Sequence, residues 1–233
     1  STQAKTLFPY TTLFRSWQAA LRSAGAGCLA VDLVMNKEVE NAFCSVRPPG
    51  HHCEKANPMG FCFFNNIGVA AMHAIKAHGL ERVAIIDFDV HHGNGTEDCF
   101  AGDDRVLMCS IFQHPFYPYS GTDKPAANMC NVPLAAGSGG EEFRDAVLQV
   151  WTPRLREFKP QMIFISAGFD GHYEDDMGGL KLVEKDYAWC TDHLKKLAAE
   201  MCDKRIVAML EGGYVMTSLA RSVGAHLRSL ADL

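Results

Sequence analysis

Asp87, Asp89 and His91 follow one another at intervals of two, directly after the apolar, largely β-branched run Val83–Ile86. Such a run fits a parallel strand covered on both faces, and Gly93 and Gly95 end it in a loop. Side chains alternate across a strand, so the three polar groups share one face while Phe88 and Val90 take the other. Buried carboxylates cost several kcal/mol unless they are paired or bound to metal. An Asp and a His two apart at the carboxyl end of a strand therefore read as a metal site, in the place where α/β sheets keep their chemistry. Three further loops carry polar residues that ordinary packing does not call for. Arg47-Pro-Pro-Gly ends in the adjacent pair His51 and His52, Asp170 stands just past the run Met162–Ser166, and Tyr214 closes Glu211-Gly-Gly-Tyr. Two Asp and one His from such loops offer one divalent ion three ligands and an open position, as catalytic zinc sites require. An ion so held brings the pKa of bound water from about 15.7 to roughly 7.

The elements that must position these groups alternate strand and helix. Helix is expected over 17–36, interrupted at Gly25 and Gly27, and a short strand over 42–46. A helix over 65–78 ends at Gly79, and the central strand is followed by another apolar run over 106–111. After a loop rich in Pro, Tyr and Gly through Lys124, an amphipathic helix spans 141–158, with Phe143, Val147, Val150, Trp151, Leu155 and Phe158 at helical spacing. Strand 162–166, helix 184–200, strand 206–210 and helix 215–230 complete the pattern. This order predicts an α/β fold, a parallel sheet with helices on both faces, and in such a sheet all the post-strand loops lie on one edge.

The 233 residues suit one domain, with 48% apolar and 21% charged residues and no apolar stretch approaching the ~20 residues of a membrane span. A formal net charge of −5 argues against direct nucleic-acid binding and leaves room for a cationic partner. Nine Cys, an odd number with no C-x-x-C pair, suggest reduced thiols and a cytoplasmic location. His73, His78, His114, His193 and His226 stand in no motif and read as structural or exposed, and His172 only borders Asp170. Leu7–Ser16 has no clear period and resembles the translation of a DNA-sequencing adapter, so residues 1–16 read as an artefact of cloning or sequencing.

Arg-Pro-Pro-Gly-His-His, Gly-Phe-Cys-Phe-Phe-Asn-Asn, Asp-Phe-Asp-Val-His-His-Gly-Asn-Gly-Thr, Ser-Ala-Gly-Phe-Asp and Glu-Gly-Gly-Tyr occur here in that order. Together they resemble the zinc-dependent histone deacetylase family, in particular its bacterial class II-like amidohydrolases, from about Ala24 to Leu230. The resemblance implies the arginase-deacetylase fold, with Asp89, His91 and Asp170 as zinc ligands. It implies His51 and His52 as acid-base and electrostatic groups, Asp87 orienting His51, Asn94 behind His52, and Tyr214 polarising the amide carbonyl. Gly60, Phe61 and Tyr117 would line an acyl-lysine tunnel with Met177 at its wall. A monovalent cation, K+, would sit near Asp87 and Ser110 and the backbone carbonyls of Asp89 and His91. The implied substrate is an acylated lysine or a related amine such as an acetylpolyamine.

On this reading His51, held by an anionic carboxylate, stays cationic, whereas His52, backed by a neutral amide, has the lower basicity of a proton shuttle near neutral pH. Family members carry more residues before the region matching Ala24, so 17–233 reads as a deacetylase domain lacking its N-terminal part. The expected consequence is an uncovered sheet edge that favours a homo-oligomer and weak turnover, or an inactive acyl-lysine-binding fragment. An arginase-like two-metal enzyme fits less well, because Gly93 stands two after His91 and His172 two after Asp170, where further carboxylates would be needed.

Overall fold

A computed structural model describes the backbone of residues 10–233, with side chains from residue 15 onward. In chain order the elements are α1 (Tyr10–Met35), β1 (Asn41–Cys44), α2 (Asn66–His78), β2 (Val83–Asp87), α3 (Asn94–Phe100), β3 (Val106–Gln113), β4 (Met129–Leu134), α4 (Gly140–Ala146), α5 (Thr152–Phe158), β5 (Ile163–Ala167), α6 (Glu184–Met201), β6 (Ile206–Leu210) and α7 (Met216–Ala231). A single wide helical turn, Val147–Trp151, joins α4 to α5, so the expected helix over 141–158 is one rod with a bulge. All six strands are parallel, in the order β1-β6-β5-β2-β3-β4. The central strand β2 lies between β5 and β3, with Asp87 in register with Ser166 on one side and Ser110 on the other.

The period-two pattern of β2 sorts its residues between two cores. Ala84, Ile86, Phe88 and Val90 face the side covered by α4–α7, among Phe143, Trp151, Tyr187 and Leu194. Val83 and Ile85 face the side covered by α1 and α2, among Val31, Val34, Ile67 and Ala74. Each fully buried Ile or Phe contributes about 1.5–3 kcal/mol, and this two-sided core offsets the burial of the polar groups at the strand ends. Asn65 caps α2 by accepting from Gly68 N–H at 2.9 Å, and Gly79 ends it in the left-handed region at φ +70°.

Three expectations differ from what the chain does. Helix α1 is not interrupted at Gly25 or Gly27. A Cβ on Gly27 would come within 2.8 Å of the Ala70 side chain and 2.9 Å of Met209 Sδ, so Gly27 lets α1 lie close to α2 and β6. Strand β4 was not foreseen because Pro133 and Asn131 interrupt its pattern; at the edge of the sheet it pairs, among the described residues, with β3 alone and tolerates a proline. The segment after Gly93, expected to be loop, turns into the short helix α3 at Asn94. Of the segment read as an artefact, residues 1–9 lie outside the described residues, and the backbone is helical from Tyr10. No helix among the described residues is long and apolar enough to cross a membrane. All nine cysteines are free thiols.

Candidate active site

Strand β2 ends at Asp87, so Asp89 and His91 stand on the loop beyond it. Their convergence is kept by local hydrogen bonds: Asp87 Oδ1 accepts from Asp89 N–H at 3.1 Å, and Asp89 Oδ1 accepts from His91 N–H at 2.9 Å. Asp170, from the loop after β5, accepts from Val90 N–H at 2.9 Å. The result is a buried triad. His91 Nδ1 lies 3.0 Å from Asp89 Oδ1 and 3.2 Å from Asp170 Oδ2, and the ligand atoms of all three residues fall within 4.8 Å of one another.

This donor set fits a metal ion on two observations. Asp170 Oδ2 is fully buried and has no hydrogen-bond partner among the described residues; its approach to His91 lacks hydrogen-bond geometry. Glycines keep the space around it: a Cβ on Gly212 would collide with the carboxylates of Asp170 and Asp89, and one on Gly168 with that of Asp89. Burial raises Asp170 to about 6, aided by the Asp89 charge. Burial would lower His91, but the carboxylates of Asp170 and Asp89 beside it raise it to about 10. The three groups therefore demand positive charge between them, which a divalent cation meets.

Above the triad stand the paired histidines, their rings 4.1 Å apart. His51 Nδ1 lies 2.9 Å from Asp87 Oδ2, and His52 Nδ1 lies 2.8 Å from Asn94 Oδ1. The amide of Asn94 is itself fixed, donating to Glu54 Oε1 at 2.7 Å. Burial works against charge on His51, but Asp87, Asp89 and Glu211 outweigh it and hold the ring well above its ordinary value. For His52, burial and then the neighbouring His51 charge bring it down to about 3. That is lower than the near-neutral poise expected of a shuttle, because His52 loses solvent as well as facing a cation.

Tyr214, after β6, is half-buried, and burial together with Asp89 and Asp170 keeps its hydroxyl protonated. Its backbone N–H donates to Asp175 Oδ2 at 2.7 Å, and Val215 N–H to the same oxygen at 3.1 Å. Asp175 also accepts from Met177 N–H, at 3.0 Å, so one buried carboxylate holds the backbone of both Tyr214 and Met177, two residues that line the cavity. The cavity has a volume of about 460 Å³, with His52, His91 and Tyr214 at its base. Gly60, Phe61, Phe116, Tyr117 and Met177 form its walls, with Asp176 at the rim. Phe61 and Tyr117 stay 67% and 37% exposed, so the mouth is wider than a narrow tunnel; both sit on rim loops rather than on strands. A larger groove of about 790 Å³ beside Arg82 and Arg154 lies at the amino ends of the strands and holds none of these groups.

Ser110 lies beside Asp87 in register, its Oγ 3.5 Å from His92 Nδ1. His172, two residues after Asp170, is fully buried but lies outside the triad, 3.5 Å from Glu184. Sequence reasoning missed three contributors. Glu211, just past β6, accepts from Gly50 N–H at 2.7 Å, His51 N–H at 3.1 Å and Ser166 Oγ at 3.0 Å, and burial raises it to about 7. Its post-strand position, the same as that of Asp170, was the available signal. Asp175 carried no signal beyond lying five residues after Asp170. Phe116 stacks on His91 at 5.3 Å and was masked by the aromatic run around it.

Comparison with known proteins places this arrangement. Residues 5–230 match the family model described as histone deacetylase domain. The chain is 39% identical over 206 residues to the histone deacetylase-like amidohydrolase of Pseudomonas aeruginosa, covering 85% of this chain and 54% of that protein. It is 41% identical over 240 residues to type-2 histone deacetylase 2 of Dictyostelium discoideum, covering 94% of this chain and 14% of that one. Among solved structures, the crystal structure of the HDA15 HD domain superposes with a TM-score of 0.85 at 33% identity, covering 92% of this chain and 64% of that one. The chain thus spans about half or less of the length of these two curated relatives.

Proposed function

The chain belongs to the histone deacetylase family, and on that premise we propose that it is a zinc-dependent amidohydrolase that removes acetyl or other acyl groups from lysine or related amines. The observation that carries this reading is the pair of adjacent histidines with opposite partners, Asp87 behind one and Asn94 behind the other, over a buried two-Asp, one-His triad. Zinc held by Asp89, His91 and Asp170 would supply Lewis acidity and lower the pKa of bound water. His52, neutral at pH 7, takes a proton from the attacking water and returns it to the leaving amine. His51 keeps its proton and stabilises negative charge as it develops. Tyr214 donates its hydroxyl to the carbonyl oxygen, a contact that strengthens as that oxygen becomes anionic. Phe61, Phe116, Tyr117 and Met177 hold the methylene chain of the substrate. K+ beside Asp87 and Ser110 belongs to the same reading, supported by the fully buried Asp87 carboxylate lying next to Ser110 across the β2–β3 register.

Asp176 at the cavity rim favours a second reading of the substrate, since an exposed carboxylate there suits the free ammonium of an acetylpolyamine. Turnover of an acetyl-lysine peptide, acetylputrescine and a simple acetanilide decides between the two. Peptide preference supports a protein substrate, and acetylputrescine preference that Asp176→Asn removes supports a polyamine. Activity on guanidino compounds alone would reject the family reaction for this chain.

A further inference from the structure

At the far end of α2 from the loops of the active site, three side chains converge that none of the catalytic reasoning uses. Asp32 on α1 presents Oδ1 to His73 Nε2 and to His78 Nε2, each at 2.7 Å, and the three ligand atoms lie within 4.8 Å of one another. The rings stand 5.5 Å apart between centroids and 79° to each other, so they approach the oxygen from different sides. Helix α2 starts at Asn66, next to Asn65, whose side chain reaches Thr96 in α3, the helix that follows the active-site loop, and its 13 residues end at His78 near the start of β2. At about 1.5 Å rise per residue His73 and His78 stand about 10 and 18 Å along the helix from Asn66, and they share no residue with the Asp89 triad.

We propose that Asp32, His73 and His78 form a second metal site, which takes a divalent first-row transition ion of the Zn2+ type and clips α1 to α2. Two imidazole nitrogens and one carboxylate oxygen are the donor set such ions accept, with the remaining positions filled by water. The side chains are 43%, 28% and 19% exposed, which gives an ion and its waters a way in. Zn–N of about 2.0–2.1 Å and Zn–O of about 2.0–2.2 Å put tetrahedral ligands about 3.4 Å apart, so the Asp–His spacing must open by about 0.7 Å. Partly exposed side chains can make that movement, while the close packing of α1 on α2 around Gly27 and Ala70 keeps the two backbones in place. The carboxylate is held ionised: hydrogen bonds from His78 and His73 lower Asp32 below its ordinary range. The same geometry without an ion would be an exposed His–Asp cluster, and the difference is measurable.

The test counts ions. Zinc-loaded wild-type protein and the variant His73→Gln/His78→Gln are dialysed against the same micromolar free Zn2+, and bound zinc is determined by elemental analysis. The expected result is one ion per chain fewer in the variant, unchanged hydrolytic activity, and loss of the rise in Tm that added Zn2+ gives the wild type. Equal zinc content in the two proteins overturns the proposal. If the variant folds poorly, ring 1H–15N spectra of the wild type during Zn2+ titration take its place. Saturable shifts of His73 and His78 together support the site, and unmoved resonances overturn it.

Discussion

Asn94→Asp tests whether the two histidines owe their different roles to the residues behind them. The substitution keeps the oxygen that faces His52 Nδ1 at 2.8 Å and makes it anionic. With the charge centres about 4 Å apart and an effective dielectric of about 20, the added attraction is about 4 kcal/mol, or roughly three pKa units. His52, now at about 3, should then titrate near 6. The sign follows from the proton count: below that value the ring is protonated and no longer a base, so the acid limb of kcat/KM moves up by about three units. At about pH 5 the variant should lose roughly tenfold relative to its own plateau, because each unit below a pKa removes a factor of ten, while the wild type stays flat. Glu54, which accepts from the Asn94 amide at 2.7 Å, would face a like charge in the variant. The double variant Asn94→Asp/Glu54→Gln removes that repulsion and should show the full shift. Ring NMR titration of His52 supplies the microscopic value beside the pH–rate profile. An acid limb that does not move, with His52 still neutral at about pH 5, would refute the assignment of proton transfer to the Asn94-backed ring.

The hydroxyl of Tyr214 should matter only in the transition state, so Tyr214→Phe is expected to lower kcat by about 10²–10³ with little change in KM; a raised KM with kcat unchanged would point to simple binding. Gly212→Ala puts a Cβ against the Asp170 and Asp89 carboxylates and should lower zinc affinity in equilibrium dialysis and stability by about 1–3 kcal/mol in urea unfolding; wild-type zinc binding in this variant would refute the spatial argument. Glu211 is raised to about 7, so the native state binds a proton that the unfolded chain, with an ordinary Glu pKa of about 4.3, releases earlier. Stability from this group is full below about 4.3 and is lost as pH rises through about 7, by about 3–4 kcal/mol in the limit. Glu211→Gln should flatten that part of the stability–pH curve in urea unfolding at a series of pH values; an unchanged slope would place the titration elsewhere.

Much of the frame was legible because period-two patterning and the place of polar residues after strands are local signals. Asp87, Asp89 and His91 stand out against Val83–Ile86, and a parallel sheet brings Asp170 and Tyr214 to the same edge. What was not legible depends on contacts between distant segments. Gly27 looks like a helix breaker until the helix it must lie against is known, and Pro133 forbids a central strand but not an edge one. Glu211 and Asp175 act on backbone N–H groups 161 and 39 residues away, and no spacing rule reports such bonds. Asp32 stands 41 and 46 residues from His73 and His78, so the three show no common motif in the sequence.

Zinc content measured together with turnover of a fluorogenic acetyl-lysine substrate shows whether Asp89, His91 and Asp170 hold the ion on which hydrolysis would depend. With His73→Gln/His78→Gln as the background, so that ions at Asp32 are not counted, the expected result is about one zinc per chain and hydrolysis that chelation abolishes and Zn2+ restores. Asp89→Ala and Asp170→Ala in that background should both lose the ion and the activity. Full zinc occupancy in either variant, or hydrolysis that survives removal of the metal, would contradict it.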